Sequence, residues 1–416
     1  MKFITKCAAQ LTPLVALATS ALAFTPAGLS DSHQPGSVLV FPKFVGGDPG
    51  VAGSQPPVHV DGIVGIARTE IEIGAVCPPL AEFVEGAVSC SPHQQVTVRA
   101  HWVCPGFQGV NSNICREEDF VFTLTTNGKV AFSADGNPIN SNTPSGIPAP
   151  PCPRGYLIAW VVSNTNTAQP VKFDGLIGTA IIRGVDLATS MTSTAVSAYP
   201  AITIQAADPA QPTYPATGSN IAGPTLVFDG SPGHYAQVTG ALVADVTFDR
   251  LSAGTGPAPA VLGETYINLV TLDVQSNRPN NPTSVRLSFY NESANTGGIF
   301  GGGEHETSSS MTFVCWTQLG LTTVVNIFLG DGRPGIATPP IDSVLNQNTQ
   351  STRKGIVIAG PAQKLAEVDS DLETGPVTLL GLIESNVGTV ANMFQERKIN
   401  YLMGTDGDPQ GGAFVP

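Results

Sequence analysis

The chain has 416 residues, of which 12% are charged, and its formal net charge is −13. Globular domains carry about 25% charged residues, so charge here is scarce as well as mostly negative. Such a surface repels phosphate backbones and anionic lipid, which excludes nucleic acid as a partner. With 42% hydrophobic residues the chain can bury real cores, and its length suits two domains at about 150 residues each.

The first 23 residues read as a signal peptide. Lys2 and Lys6 form a positive head, Leu11 to Leu22 is mostly apolar, and Ala21-Leu22-Ala23 is a small-x-small cleavage site before Phe24. Thr12, Pro13, Thr19 and Ser20 break the apolar run, which is too short for a permanent anchor. Cys7 precedes that run instead of ending it, so it leaves with the leader. Loss of Lys2 and Lys6 lowers the charge from −13 to −15. No later segment has the long apolar run of a transmembrane helix. An exported location follows: extracellular, cell surface or periplasm.

Strand patterns dominate the rest. In VTVRAHWVC, residues 96–104, Val96, Val98, Ala100, Trp102 and Cys104 share one face and Thr97, Arg99 and His101 the other. DFVFTLTTNGKVAFSA, residues 119–134, predicts a hairpin closed by Asn127-Gly128, since a type I′ turn needs positive φ at both central residues. YLIAWVVS (156–163) and VKFDGLIGTAIIRG (171–184) continue the series. Residues 188–198 and 390–398 are the only short helical candidates. A segment rich in Pro and Gly, residues 207–232, reads as a linker. Beyond it, strands are expected at 266–275, 284–292, 310–319, 355–360 and 376–385. The predicted fold is all-β: two consecutive antiparallel, sandwich-like domains at 36–206 and 233–415.

Six cysteines survive cleavage: Cys77, Cys90, Cys104, Cys115, Cys152 and Cys315. An even number in an exported chain reads as disulfides. No C-x-x-C pair or Cys/His cluster supports zinc. If the strands ending at Cys104 and starting after Cys115 are neighbours, these two can approach bonding distance. Cys77 with Cys90 follows by the same logic, leaving Cys152 with Cys315.

GSVLVFPKF (36–44), the Cys115 to Asp119-Phe120 segment, RGYLIAW, FDGLIGTA, FYNE, FVCWTQ, RKGIVIAGPAQK and GPVTLLGLIES occur in this order along the chain. In these motifs the chain resembles a group of predicted exported bacterial β-proteins. The resemblance implies export but carries no activity and no catalytic residue.

Catalytic constellations are scarce. There is no G-x-S-x-G elbow, H-E-x-x-H or phosphate-binding loop. In GGGEHE, His305 lies between Glu304 and Glu306, but alternation along a strand points it away from both, and the glycines suggest a solvated loop. Asp369, Asp371 and Glu373, and separately Asp406 and Asp408, invite a calcium reading, yet neither completes an EF-hand. An irregular calcium site is the one cofactor reading left open. Glu117, Glu118 and Asp119 resemble the paired carboxylates of glycoside hydrolysis, but at a strand start they read as a charged edge that discourages aggregation. Trp102, Trp160 and Trp316 sit in apolar strands and read as core instead of sugar platforms.

The function expected is therefore a non-enzymatic structural or binding protein outside the cytoplasm, partnered by a second copy or a cell-surface component. A secreted hydrolase acting on polymer or glycan is the alternative. An outer-membrane barrel fits poorly with 7% aromatics and several cysteines. Cleavage after Ala23 is directly checkable. N-terminal sequencing of protein recovered outside the cytoplasm should begin at Phe24, and an intact Met1 chain in the cytoplasm would contradict the assignment.

Overall fold

The computed structural model describes residues 34–46, 59–60, 63–76, 95–105, 113–136, 139, 143–186, 195–207, 224–247, 261–291, 306–320, 354–365, 375–389, 392–401, 403–404, 409–410 and 413–416. These contain strands and no helix. The helical candidates resolve as strand where they are described, at Ala195–Pro200 and Asn392–Tyr401.

A central sheet has the order β10 (Ile202–Ile204), β1 (Val38–Val45), β7 (Arg154–Val162), β4 (Gln95–Cys104), β5 (Arg116–Thr125). Every residue of β1 is buried, as are all but the first of β7. Continuous apolar runs such as VLVF and YLIAWVV are what a strand covered on both faces requires. β5 lies at the edge and alternates instead, with Phe120, Phe122 and Leu124 buried and Val121 40% exposed.

One face of this sheet packs on a second sheet of β2 (His59–Val60), β3 (Ile63–Ala75), β8 (Leu176–Asp186) and β9 (Ala195–Pro200), with β6 (Gly128–Ser133) added beside β3. Val96, Val98, Ala100, Trp102 and Cys104 all enter this core, as the alternation predicts. The core also holds Phe41, Phe44, Ile71, Ile73 and Phe132.

The opposite face is covered by residues from far along the chain. There β11 (Leu226–Val227), β25 (Ala413–Val415) and β15 (Val274–Gln275) form a small sheet, and β12 (Val238–Thr239) pairs with β24 (Pro409–Gln410). Phe414, Val270, Leu272, Trp316 and Leu380 pack here against Val38, Val40, Ile158 and Trp160. β11 falls within the segment expected to be a linker; part of that segment is thus a strand paired with the last strand described.

The third core lies between two further sheets. One contains β17 (Glu306–Phe313), β16 (Thr283–Asn291), β19 (Lys354–Lys364), β13 (Leu242–Thr247) and β23 (Met403–Gly404), with β20 (Gly375–Pro376) beside β19. The other is β18 (Trp316–Gly320), β14 (Val261–Val270), β21 (Leu380–Thr389) and β22 (Asn392–Tyr401). The strand expected over 310–319 is divided at Cys315, whose φ of 56° breaks it into β17 and β18.

Among the described residues, five sheets of three or more strands stand in a propeller-like ring, not clearly as two sandwich domains. The likeness lies in the arrangement of sheets. Strand order within them crosses over, whereas propeller blades run consecutively. The central sheet is apolar on both faces, so its second face needs cover, and residues beyond 224 supply it.

The expected hairpin is also corrected. β5 and β6 belong to different sheets, and the turn between them is a corner. Asn127 has φ 62°, but Gly128 is not in the positive-φ region, so the two conformations that type I′ demands are not both present. The Asn127 amide instead donates to the Ala75 carbonyl at 2.6 Å. Phe132 meets Phe120 at 5.5 Å and Phe122 at 5.6 Å across the gap between sheets. Gly128 is needed for closeness, since a Cβ there would lie 2.7 Å from Thr125 Oγ1 and 2.9 Å from the Thr125 carbonyl oxygen. Gly128→Val should therefore cost about 1–3 kcal/mol, the usual range for overpacking, measured by denaturant unfolding. An unchanged midpoint would contradict a tight corner.

Candidate functional site

The cysteines show how strand parity governs this molecule. β4 and β5 are neighbours, as expected, with Cys104 opposite Arg116. That register is one residue away from placing Cys104 opposite Cys115, and a one-residue offset puts two side chains on opposite faces. Cys104 accordingly lies in the first core and Cys115 in the second. Cys104 bonds to Cys152, with Cα atoms 5.9 Å apart, and Cys115 bonds to Cys315 at 6.2 Å. The expected Cys104–Cys115 and Cys152–Cys315 pairs are thus corrected. Cys77 and Cys90 lie outside the described residues.

The most concentrated polar chemistry is buried near the middle of the fold. Pro42 and Lys43 occupy an irregularity in the β1–β7 pairing between Phe41 and Phe44. A proline offers no N–H to a ladder and is tolerated at such bulges. The Tyr199 hydroxyl takes up the backbone groups that leave the ladder: it accepts from the Lys43 amide at 3.2 Å and donates to the Lys43 carbonyl. Trp316 Nε1 donates to the Pro42 carbonyl at 2.7 Å. The bulge directs the Lys43 side chain onto the opposing sheet, where Nζ donates to Glu384 Oε2 and lies 5.9 Å from the centre of the Tyr266 ring. Both side chains of this ion pair are 0% exposed.

A second cluster sits on the other face of the central sheet. His101 Nδ1 bonds Glu117 Oε2, and the imidazole packs 4.8 Å from Trp160 and 5.7 Å from Phe414, centre to centre. His101 Nε2 is buried without a hydrogen-bond partner. Asn277 Nδ2 donates to Glu117 Oε1 at 3.3 Å. Burial, then the charges of Glu117 and Asp273, push the Tyr156 hydroxyl well above its ordinary range. Asp119 pairs with Arg99 at 3.1 Å on the exposed edge. Asp119 and Glu118 are exposed, as an edge requires, whereas Glu117 folds inward.

Two further carboxylates are buried. Asp174 Oδ1 accepts from Ser37 Oγ at 2.7 Å and from the Ala206 amide at 2.9 Å. Burial pushes the Asp174 carboxyl up, against the pull of those bonds and of Lys172, and Asp174 together with burial raises Tyr235. Asp273 Oδ2 accepts from the Thr378 amide at 2.8 Å and from Thr378 Oγ1 at 2.9 Å.

Trp102, Trp160 and Trp316 are core residues, no more than 6% exposed. Among the described residues no group of three or more His, Cys, Asp or Glu is placed to hold a metal. His305, the carboxylates Asp369, Asp371 and Glu373, and Asp406 and Asp408 lie outside the described residues. A surface hollow of about 350 Å³ is lined by Phe132, Ser133, Thr143, Ile147 and neighbouring Gly, Pro and Ser, none of them ionisable. No helix among the described residues is long and apolar enough to cross a membrane.

Sequence reasoning did not find Lys43, Glu384, Asp174 or Asp273. One signal was present for Lys43: a lone cation inside the apolar run VLVFPKFV needs a buried partner.

Asp174 yields a pH prediction. Its folded carboxyl holds a proton above the ordinary 3.8. Folding therefore takes up a proton in the window opening at that value, and this contribution to stability falls as pH rises through it. Asp174→Asn keeps an oxygen acceptor for Ser37 and Ala206 but no charge. It should remove that decline and match or exceed the wild type in unfolding free energy at neutral pH. A variant less stable than the wild type at neutral pH would contradict this account.

No family model matches the chain, and no curated protein matches it.

Proposed function

We propose that this chain is an exported structural or binding protein that works outside the cytoplasm without catalysing a reaction, engaging a cell-surface component or a second copy of itself. The observation that carries the reading is where the buried charge goes. Lys43 meets Glu384, His101 meets Glu117, Asp174 meets Ser37 and Ala206, and Asp273 meets Thr378. Three of these contacts, all but His101–Glu117, tie distant parts of the chain together, and catalytic groups would instead converge on an opening that admits substrate.

The disulfides support the same reading. Cys104–Cys152 and Cys115–Cys315 enclose 48 and 200 positions of sequence separation and suit an oxidising environment. Charged residues at 12% and a formal net charge of −13 also suit a durable exported surface better than one recruiting polyanions.

The test is fractionation of the producing cells combined with assay of the purified mature protein on polysaccharide, peptide and ester substrates. Recovery with the envelope or the medium, and no turnover of any substrate, is expected. Turnover that disappears in both His101→Ala and Glu117→Gln would overturn the proposal in favour of a secreted hydrolase, because those two residues form the imidazole–carboxylate pair with a fully buried imidazole among the described residues.

A further inference from the structure

We propose that Lys43 and Asn268 are joined by an intramolecular isopeptide bond, formed autocatalytically with Glu384 as the acid–base residue. Three observations carry it. The first is placement. Glu384 on β21 stands opposite Tyr266 on β14, and Asn268 stands two residues further along β14, opposite Leu382. The register is unbroken there, so Tyr266, Asn268, Leu382 and Glu384 share one face, and Asn268 is the diagonal neighbour of Glu384. Lys43 reaches onto that same face from the β1 bulge, touching Glu384 and lying 5.9 Å from the centre of the Tyr266 ring.

The second observation is burial. Lys43, Asn268 and Glu384 are all 0% exposed. Amide formation between an amine and a carboxamide needs water excluded and an uncharged amine, and desolvation favours the uncharged form.

The third is the state of the carboxamide. Asn268 Nδ2 donates to the Leu382 carbonyl at 3.3 Å, while its Oδ1 is buried with no hydrogen-bond partner. A buried acceptor left unpaired is unusual and calls for an explanation. Glu384, its diagonal neighbour on the same face, would supply that oxygen with a donor once protonated.

The chemistry balances without a cofactor. Nζ passes one proton to Glu384, and its freed lone pair forms the Nζ–Cγ bond to Asn268. A second proton moves from Nζ by way of Glu384 to Nδ2. The Cγ–Nδ2 bond then breaks and ammonia leaves, with one proton retained on Glu384. Nothing is oxidised or reduced. Enclosure supplies the drive, with Lys43 against Glu384 and Asn268 beside Glu384 on the same sheet face. The bond would link β1 to β14, strands of two different sheets. It does not depend on the functional reading above, since an exported hydrolase could carry the same cross-link.

The test is intact-protein mass spectrometry of the mature chain with its disulfides reduced, followed by peptide mapping. The expected mass is lower than the sequence mass by one ammonia, with a branched peptide joining Lys43 to Asn268. The Asn268→Ala and Glu384→Gln variants should show the full mass for their own sequences. An unmodified wild-type mass overturns the proposal. Loss of one water with a Lys43–Glu384 branch overturns the assignment of Asn268. Loss of ammonia that maps to a cyclic imide at Asn127-Gly128, without a branched peptide, overturns it as well. The decisive measurement is made on the wild-type chain, so it stands whether or not the variants fold.

Discussion

The contact between Lys43 and Glu384 is the constraint on which the rest of the molecule depends. The two residues are 341 positions apart and wholly enclosed. An exposed pair such as Lys129–Glu72, with side chains 65% and 38% accessible, contributes about 0–1 kcal/mol. A buried pair differs in kind. In the chain before any bond to Asn268 forms, removing one partner strands an unpaired charge in the core and costs about 3–5 kcal/mol. The pair therefore penalises any arrangement in which β1 and β21 separate, and through β1 it anchors the central sheet to the sheets formed later in the chain. The bulge at Pro42-Lys43, the Tyr199 hydroxyl on the Lys43 backbone and the Trp316 bond to Pro42 all hold the lysine in place for that contact.

The same logic extends outward in weaker forms. Cys115–Cys315 connects the start of β5 to the break between β17 and β18. Backbone bonds from Asn277 to the Cys115 carbonyl and from Asn280 to the Asn113 carbonyl lie beside it. Phe414 closes over His101 and Trp160. Each of these crosses the middle of the sequence, and together they explain why a central sheet with two apolar faces is stable: later segments cover the second face.

Local pattern made much of this fold legible in the sequence, and parity over long distances hid the rest. The alternation in VTVRAHWVC correctly assigns Trp102 and Cys104 to one core and His101 to the other face. The burial of all three tryptophans follows from their apolar neighbours. The adjacency of β4 and β5 was also legible, yet the disulfide inferred from it was not correct, because one residue of register decides which face a cysteine occupies. Asn127-Gly128 does mark a turn, but the dipeptide cannot say whether the returning strand joins the same sheet or the facing one. Lys43 and Glu384 could not be matched from sequence at all, since nothing local in either segment names the other. The helical candidates misled because their periodicity was short and sheet pairing overrode it.

If the molecule is one interlocked unit, its unfolding must be cooperative across the whole chain. Differential scanning calorimetry of the mature protein with intact disulfides is the most direct measurement. The account predicts a single transition whose calorimetric enthalpy equals its van't Hoff enthalpy. Two resolved transitions, one assigned by proteolysis to residues 36–206 and the other to 233–415, would contradict it and restore the picture of two independent domains.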